Sequence, residues 1–348
     1  MNEAPLCSRC FGDQGLRLLA EFNREATGAR CLQCGSDEGR ALDVSAIRQL
    51  AYSFFVQGSV IRTDFGGAPR LQINDQRDVE VRFGEPLASD MDLITKAAGI
   101  GVFHYGPRLW MIGEIEPLQA LQSGDRDAII QRILAEYPSV SLEPGEKVYR
   151  LRVNPHEPEN AREYDAPPPA LAKAARLNPE GSPTLYASPD LQVCLHECRV
   201  SAEDDIYVGT LEPTEQLKIL DLTEVLPETC TEFESLDMAV HMLFLARSHA
   251  YPISQAIAAA AQDAGFAGVR FPSYFSLMRT GGIPFETTFG LAHRLIPTLR
   301  DQERSKIVEN VAIFGQPVDD GRLAVTSINR FVLNQVVYGG YFGPVQFD

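Results

Sequence analysis

The sequence has a single tryptophan, no long apolar run, and too few basic groups for its acidity. Lys and Arg number 31 against 47 Asp and Glu, a formal net charge of −16. Gripping a phosphate backbone needs the opposite balance, so nucleic acid is not an expected partner. The most apolar stretch, Ala256 to Ala261, is far shorter than the roughly 20 residues that cross a bilayer. The opening MNEAPLCSRC has neither the basic lead nor the apolar core of a secretory signal. A cytoplasmic protein without a membrane span is therefore expected. Its seven cysteines should then be thiols or metal ligands rather than disulfides. Familiar catalytic signatures are also missing. There is no P-loop lysine motif, no G-x-G-x-x-G after a strand, no G-x-S-x-G elbow and no H-E-x-x-H.

What is present begins with cysteine. Cys7 and Cys10 form one C-x-x-C, Cys31 and Cys34 a second, with twenty residues between Cys10 and Cys31. That spacing matches a structural zinc site of two knuckles. Four thiolates leave no open position for water, so a catalytic zinc is not expected. The flanking acids Asp13, Glu21, Glu25, Asp37 and Glu38 argue against a DNA-reading finger. Helical periodicity follows over Val44 to Phe55, Asp90 to Ala98 and Leu118 to Tyr137, with short strands expected between Val60 and Phe83. Residues 1–143 read as a mainly helical, zinc-binding domain. Pro144-Gly145 marks the boundary.

Beyond it the texture is α+β. Val148 to Val153, Ile206 to Leu211, Leu217 to Leu222 and Gly268 to Phe271 read as strands, as do runs after Lys306. Leu236 to Arg247 and Pro252 to Ala264 read as helices, the second ending at Gly265. Ser188-Pro189-Asp190 opens a further helix that should run to about Arg199. Its expected core stripe is Leu191, Cys194, Leu195 and Cys198. At roughly 100° per residue, Glu197 falls on the flank of that stripe, where a carboxylate can line a cleft or simply be solvated. Cys194, His196 and Cys198 alternate around the helix, so they do not form a second metal site.

Several polar residues stand in one order: Tyr149-Arg150, then Arg176-Leu-Asn178, Gly181, Leu185-Tyr186-Ala187, Glu197, and Gly268-Val-Arg-Phe-Pro-Ser273. This order resembles the RES domain, from about Lys147 to the region of Leu295. The N-terminal half resembles the zinc-bearing domain fused to some RES proteins, in Cys-x-x-Cys-Phe and Cys-x-x-Cys-Gly. Two departures stand out: Ala175 replaces a frequent glycine, and a long gap separates Glu197 from Ser273.

The resemblance implies an ADP-ribosyltransferase-like α+β fold over 144–348. It also implies a toxin that depletes NAD as a glycohydrolase or phosphorylase and that is paired with an antitoxin or immunity protein. In that reading Glu197 is catalytic, Tyr186 stacks on the nicotinamide and Ser273 bonds its amide or a ribose. Arg150, Arg176, Arg152, Tyr149 and Asn178 bind NAD. Zinc, on Cys7, Cys10, Cys31 and Cys34, is structural. Protein ADP-ribosylation and an inactive zinc-dependent interaction module are the alternatives.

Overall fold

In the computed structural model, residues 3–22, 30–63, 66–105, 115–231, 233–282, 295–337 and 339–345 are described. Glu25, among the acidic flanks named above, lies outside them. The chain divides into two compact units. One comprises Met1–Thr63, Gly67–Trp110 and Val337–Asp348; the other comprises Asp64–Gly66 and Met111–Val336.

The first unit holds helices Gln14–Phe22, Val44–Ala51 and Leu87–Ala98. Among the described residues it also holds four two-stranded ribbons. Asp43 caps the second helix by accepting from Ala46 N, and that helix widens into a π-helical turn over Tyr52–Val56. This swings Phe54 and Phe55 into a core shared with Leu16, Ile47, Leu50, Met91 and Ile94. The C-terminal tail rejoins this unit at Gly58. A Cβ on Gly58 would lie 2.6 Å from Gly343 Cα, and one on Gly343 only 2.1 Å from Gly58 O. The two backbones cross in direct contact, which only glycine permits.

The second unit begins with α1 (Glu116–Gln122) and α2 (Arg126–Glu136), separate helices where one was expected. They precede β1 (Ser139–Leu142). Then come β2 (Val148–Val153), β3 (Thr184–Ala187), α3 (Leu191–Cys198), β4 (Ile206–Pro213) and β5 (Leu217–Asp221). The order continues with α4 (Leu236–Leu245), α5 (Tyr251–Asp263), β6 (Gly268–Pro272), α6 (Ser276–Thr280), α7 (Pro297–Arg304), β7 (Glu309–Phe314) and β8 (Leu323–Phe331). These strands form a five-stranded sheet, β3-β7-β6-β5-β1, and a three-stranded sheet, β2-β4-β8. The α+β class read from the sequence is the class observed.

The division between units lies earlier than Pro144-Gly145. Leu142 of β1 pairs with Leu217 of β5. Ile130 and Ile133 of α2 share a core with Leu220, Leu243 and Ile257. Residues 115–143 therefore pack with the sheet and helices of the second unit. Pro144-Gly145 is a turn inside that unit, with Gly145 at φ 94°.

Side-chain alternation sets which face of the larger sheet carries chemistry. Val269 and Phe271 of β6, and Ala312 and Phe314 of β7, bury against α4 and α5. Tyr186 pairs with Ala312, and Phe271 pairs with Asn310, so all belong to that face. In the smaller sheet, Gly209 pairs with Arg150 under the fully buried Tyr164. A Cβ there would sit 2.5 Å from the Tyr164 ring. Gly209→Ala is expected to lower stability by about 1–3 kcal/mol, the usual cost of overpacking, seen as a reduced Tm in thermal unfolding.

Candidate active site

β6 ends at Pro272, and its antiparallel neighbour β7 begins at Glu309. Ser273 and Asn310 therefore emerge at one end of the sheet. Helix α3 brings Glu197 to them. Glu197 Oε1 accepts from Ser273 Oγ at 2.8 Å and from Asn310 Nδ2 at 2.8 Å. Its other oxygen, Oε2, has no hydrogen bond among the described residues. Glu197 itself is exposed.

The helix starts later than expected. Its cap is Asp190, which accepts from Val193 N at 3.0 Å. Ser188 Oγ instead accepts from Asp190 N and donates to Glu309 O. The buried face is Val193 and Cys194; Leu191 and Leu195 are half-buried and Cys198 is exposed. The expected stripe is corrected because α3 docks on β2 through Cys194, whose Sγ donates to Tyr149 O at 3.3 Å. Relative to the observed face, Glu197 follows Val193 by four residues, so it lies one turn further along the same side, at the exposed end of the helix. Arg279, from the helix just after Ser273, donates twice to Asp190 Oδ2 at 2.9 and 2.8 Å. Partial burial opposes ionisation of Asp190, but these bonds outweigh it and hold its carboxyl below the ordinary range.

Two of the candidate arginines, Arg150 and Arg176, have no acidic partner among the described residues. Arg150 Nη1 donates to Tyr186 O at 2.8 Å, while its buried Nε has no partner. Burial, then the adjacent Arg152, lowers the Arg150 guanidinium to about 10. Arg176 lies over the rings of Phe244 and Tyr251, at 5.9 and 5.2 Å. It donates at long range, 3.3 and 3.2 Å, to Leu243 O and Ala246 O at the end of α4. Burial lowers its pKa, and the Tyr251 and Glu197 charges oppose that shift. Neither arginine forms a salt bridge among the described residues.

Other expected site residues are occupied elsewhere. Tyr186 donates to Asn178 Oδ1 and accepts from Leu177 N, and its ring meets Phe271 edge-on at 6.3 Å. Burial raises its phenol above the ordinary range. Asn178 is 4% exposed and gives both amide hydrogens to Lys173 O and Pro179 O. It builds the turn that presents Arg176. Ser273 is 1% exposed; its proton goes to Glu197, and its oxygen accepts from Phe275 N. Arg152 pairs with Glu163 at 3.4 Å. Tyr149, on the opposite face of β2 from Arg150, packs with Cys194 and Val208. Glu197 is hydrogen-bonded to Ser273, and Arg150 to the Tyr186 carbonyl, while Arg176 lies close enough to feel the charge of Glu197.

Asn310 was missed by sequence reasoning. Its signal is a lone amide in Glu-Asn-Val-Ala-Ile-Phe, a strand otherwise apolar after its first residue. A cavity of about 240 Å³ in this unit is lined by Lys147, Pro189, Arg270, Glu309 and their neighbours; none of the candidate residues lines it.

In the first unit the four expected cysteines converge. Their sulfurs all lie within 4.8 Å of one another, with Cys7–Cys34 at 3.5 Å, Cys10–Cys31 at 3.4 Å and Cys7–Cys10 at 3.9 Å. A tetrahedral zinc with bonds near 2.3 Å sets sulfur separations of about 3.8 Å. The cluster thus has the size and the donor set of a metal centre. Burial pushes the Cys7 thiol up to about 11, whereas backbone bonding at Ser36 draws Cys34 down to about 7.

The order of these residues along the chain is also that of a known family. Residues 147–282 match the model of the RES domain. The chain carries a RES domain. Every RES residue named from the sequence lies inside that span, whereas Asn310 lies beyond it. No curated protein matches. Among solved structures, the crystal structure of the M. tuberculosis MbcT–MbcA toxin–antitoxin complex aligns with 59% of this chain and 93% of that chain. The identity is 17% and the TM-score 0.34, too low for the likeness to bear on function. Among the described residues, no helix is long and apolar enough to cross a membrane.

Proposed function

We propose that the RES domain cleaves the bond between nicotinamide and ribose in NAD, passing ADP-ribose to water or phosphate, and that the protein is a toxin restrained by a partner protein. One observation carries the reading: a single carboxylate is gripped through one oxygen and left open through the other, in a unit where Arg150 and Arg176 donate to carbonyls rather than acids and Arg176 feels the Glu197 charge.

The chemistry suits NAD. Its nicotinamide is cationic while bonded and leaves neutral, so no strong general acid is required. The ribose develops oxocarbenium character, which a fixed anion stabilises. Glu197 supplies that anion, and its free Oε2 can engage a ribose hydroxyl or the incoming water. Paired carboxylates, as in most glycosidases, are not needed. Arg150 and Arg176 offer guanidinium N–H groups to the pyrophosphate. The Tyr186 ring, braced by Phe271, walls the nicotinamide end. Ser273 orients Glu197 rather than the amide of the substrate.

The test is incubation of purified protein with NAD, with and without phosphate, following nicotinamide release. No release from folded protein under either condition would sink the reading. Arg150→Lys keeps a charge and a donor for Tyr186 O but loses the fork. It should raise KM for NAD roughly 10-fold, the worth of one charge-assisted hydrogen bond, with kcat much less affected. Steady-state kinetics checks this.

We also propose that the four-cysteine cluster holds a structural zinc. Its support is the match between sulfur spacing and tetrahedral thiolate coordination. The closed donor set assigns it no part in NAD cleavage.

A further inference from the structure

We propose that Asn310, outside the RES span, is a positioning residue for the reaction at Glu197; this rests on the NAD-cleaving reading above. Asn310 is 7% exposed in a strand whose neighbouring positions on the same face, Ala312 and Phe314, are core. A buried amide needs a partner. The side chain of Asn310 makes one hydrogen bond among the described residues, from Nδ2 to Glu197 Oε1. A carboxylate only accepts, so the amide must present its NH₂ to it.

Three features turn this bond into a device. First, Asn310 and Ser273 both bind Oε1; Asn310 stands on β7, and Ser273 directly follows the end of its paired neighbour β6. One donor would let the carboxylate swing about a single contact. Two donors from a rigid sheet end fix its direction and leave Oε2 outward. Second, the amide is neutral. A lysine or arginine at this place would cancel the negative charge that a cationic transition state requires; an asparagine orients the charge and preserves it. Third, the strand start is anchored one residue away. Glu309 accepts from Arg304 at 3.0 Å and lies 3.7 Å from Arg270, so the amide rides on a backbone held by ion pairs.

The test compares wild type with Asn310→Leu and Asn310→Asp, both close to asparagine in shape. In Asn310→Leu, kcat for nicotinamide release should fall about 100-fold, the cost of a misplaced reacting group. KM should change little, because the arginines that grip NAD are untouched. Asn310→Asp should fall at least as far, since a second carboxyl at 2.8 Å repels the first. It also carries the test if the leucine variant fails to fold. A purely packing role would leave kcat intact in Asn310→Leu, and wild-type kcat in either folded variant overturns the proposal.

If wild type itself releases no nicotinamide, the NAD reading fails. The bond is then judged by thermal unfolding of Asn310→Leu, Glu197→Ala and the double variant. Shifts in Tm that are not additive support the Asn310–Glu197 coupling, and additive shifts overturn it.

Discussion

Replacing Glu197 with glutamine is expected to lower the kcat for nicotinamide release by about 1000-fold, the upper end of what removing one electrostatic stabiliser costs. The substitution is nearly isosteric. A glutamine carbonyl still accepts from Ser273 Oγ and Asn310 Nδ2, now at 2.8 Å each on Oε1, so α3 and its docking should be unchanged. Only the charge is lost. KM should stay near wild type, because the arginines remain, and Tm should move little, because Glu197 is exposed. Kinetics with thermal unfolding separates these effects. A fully active Glu197→Gln would place the catalytic anion elsewhere.

The second large effect concerns the cysteine cluster. Cys31→Ser is expected to abolish bound zinc and to unfold the first unit. Structural zinc in small thiolate sites contributes about 10–16 kcal/mol, comparable to or larger than the whole stability of an ordinary domain. Cys31 is buried, and its sulfur lies 3.4 Å from that of Cys10, so a serine there both removes a ligand and buries an unmatched hydroxyl. Metal analysis should find zinc in wild type and none in the variant. A strong chelator should reproduce the unfolding. Wild type that carries no metal yet resists unfolding would remove zinc from the account.

Much of this was legible in the sequence where one local signal decided the outcome. The C-x-x-C pairs brought their sulfurs together because knuckle spacing dictates it. The helix ending at Gly265 stopped there because glycine adopts φ 82° without cost. Other features depended on partners far away in sequence. The α3 stripe was misjudged because docking of Cys194 on β2 chose which side was buried. The expected flank position of Glu197 was measured from the stripe Leu191, Cys194, Leu195 and Cys198, whereas the observed buried face is Val193 and Cys194, on whose side Glu197 lies. Asn178 and Ser273 looked like ligand contacts, yet their donors are spent on Lys173, Pro179 and Glu197. Asn310 was invisible as a partner of Glu197, 113 residues distant, because strand order is not written in either segment. The unit boundary was misplaced for a related reason: Pro144-Gly145 reports a change of direction, while β1 pairs with a strand that comes much later.

The contact between Gly58 and Gly343 bears on how the protein is made. The first unit is begun before the second, but the segment that crosses Gly58 follows the second unit along the chain. Everything from Met111 to Val336 is therefore translated while the first unit still lacks one of its own pieces. A fragment that stops at Trp110 would lack Phe342 and Gly343, whatever its cysteines hold. Of the two units, the one begun earlier is the one finished later.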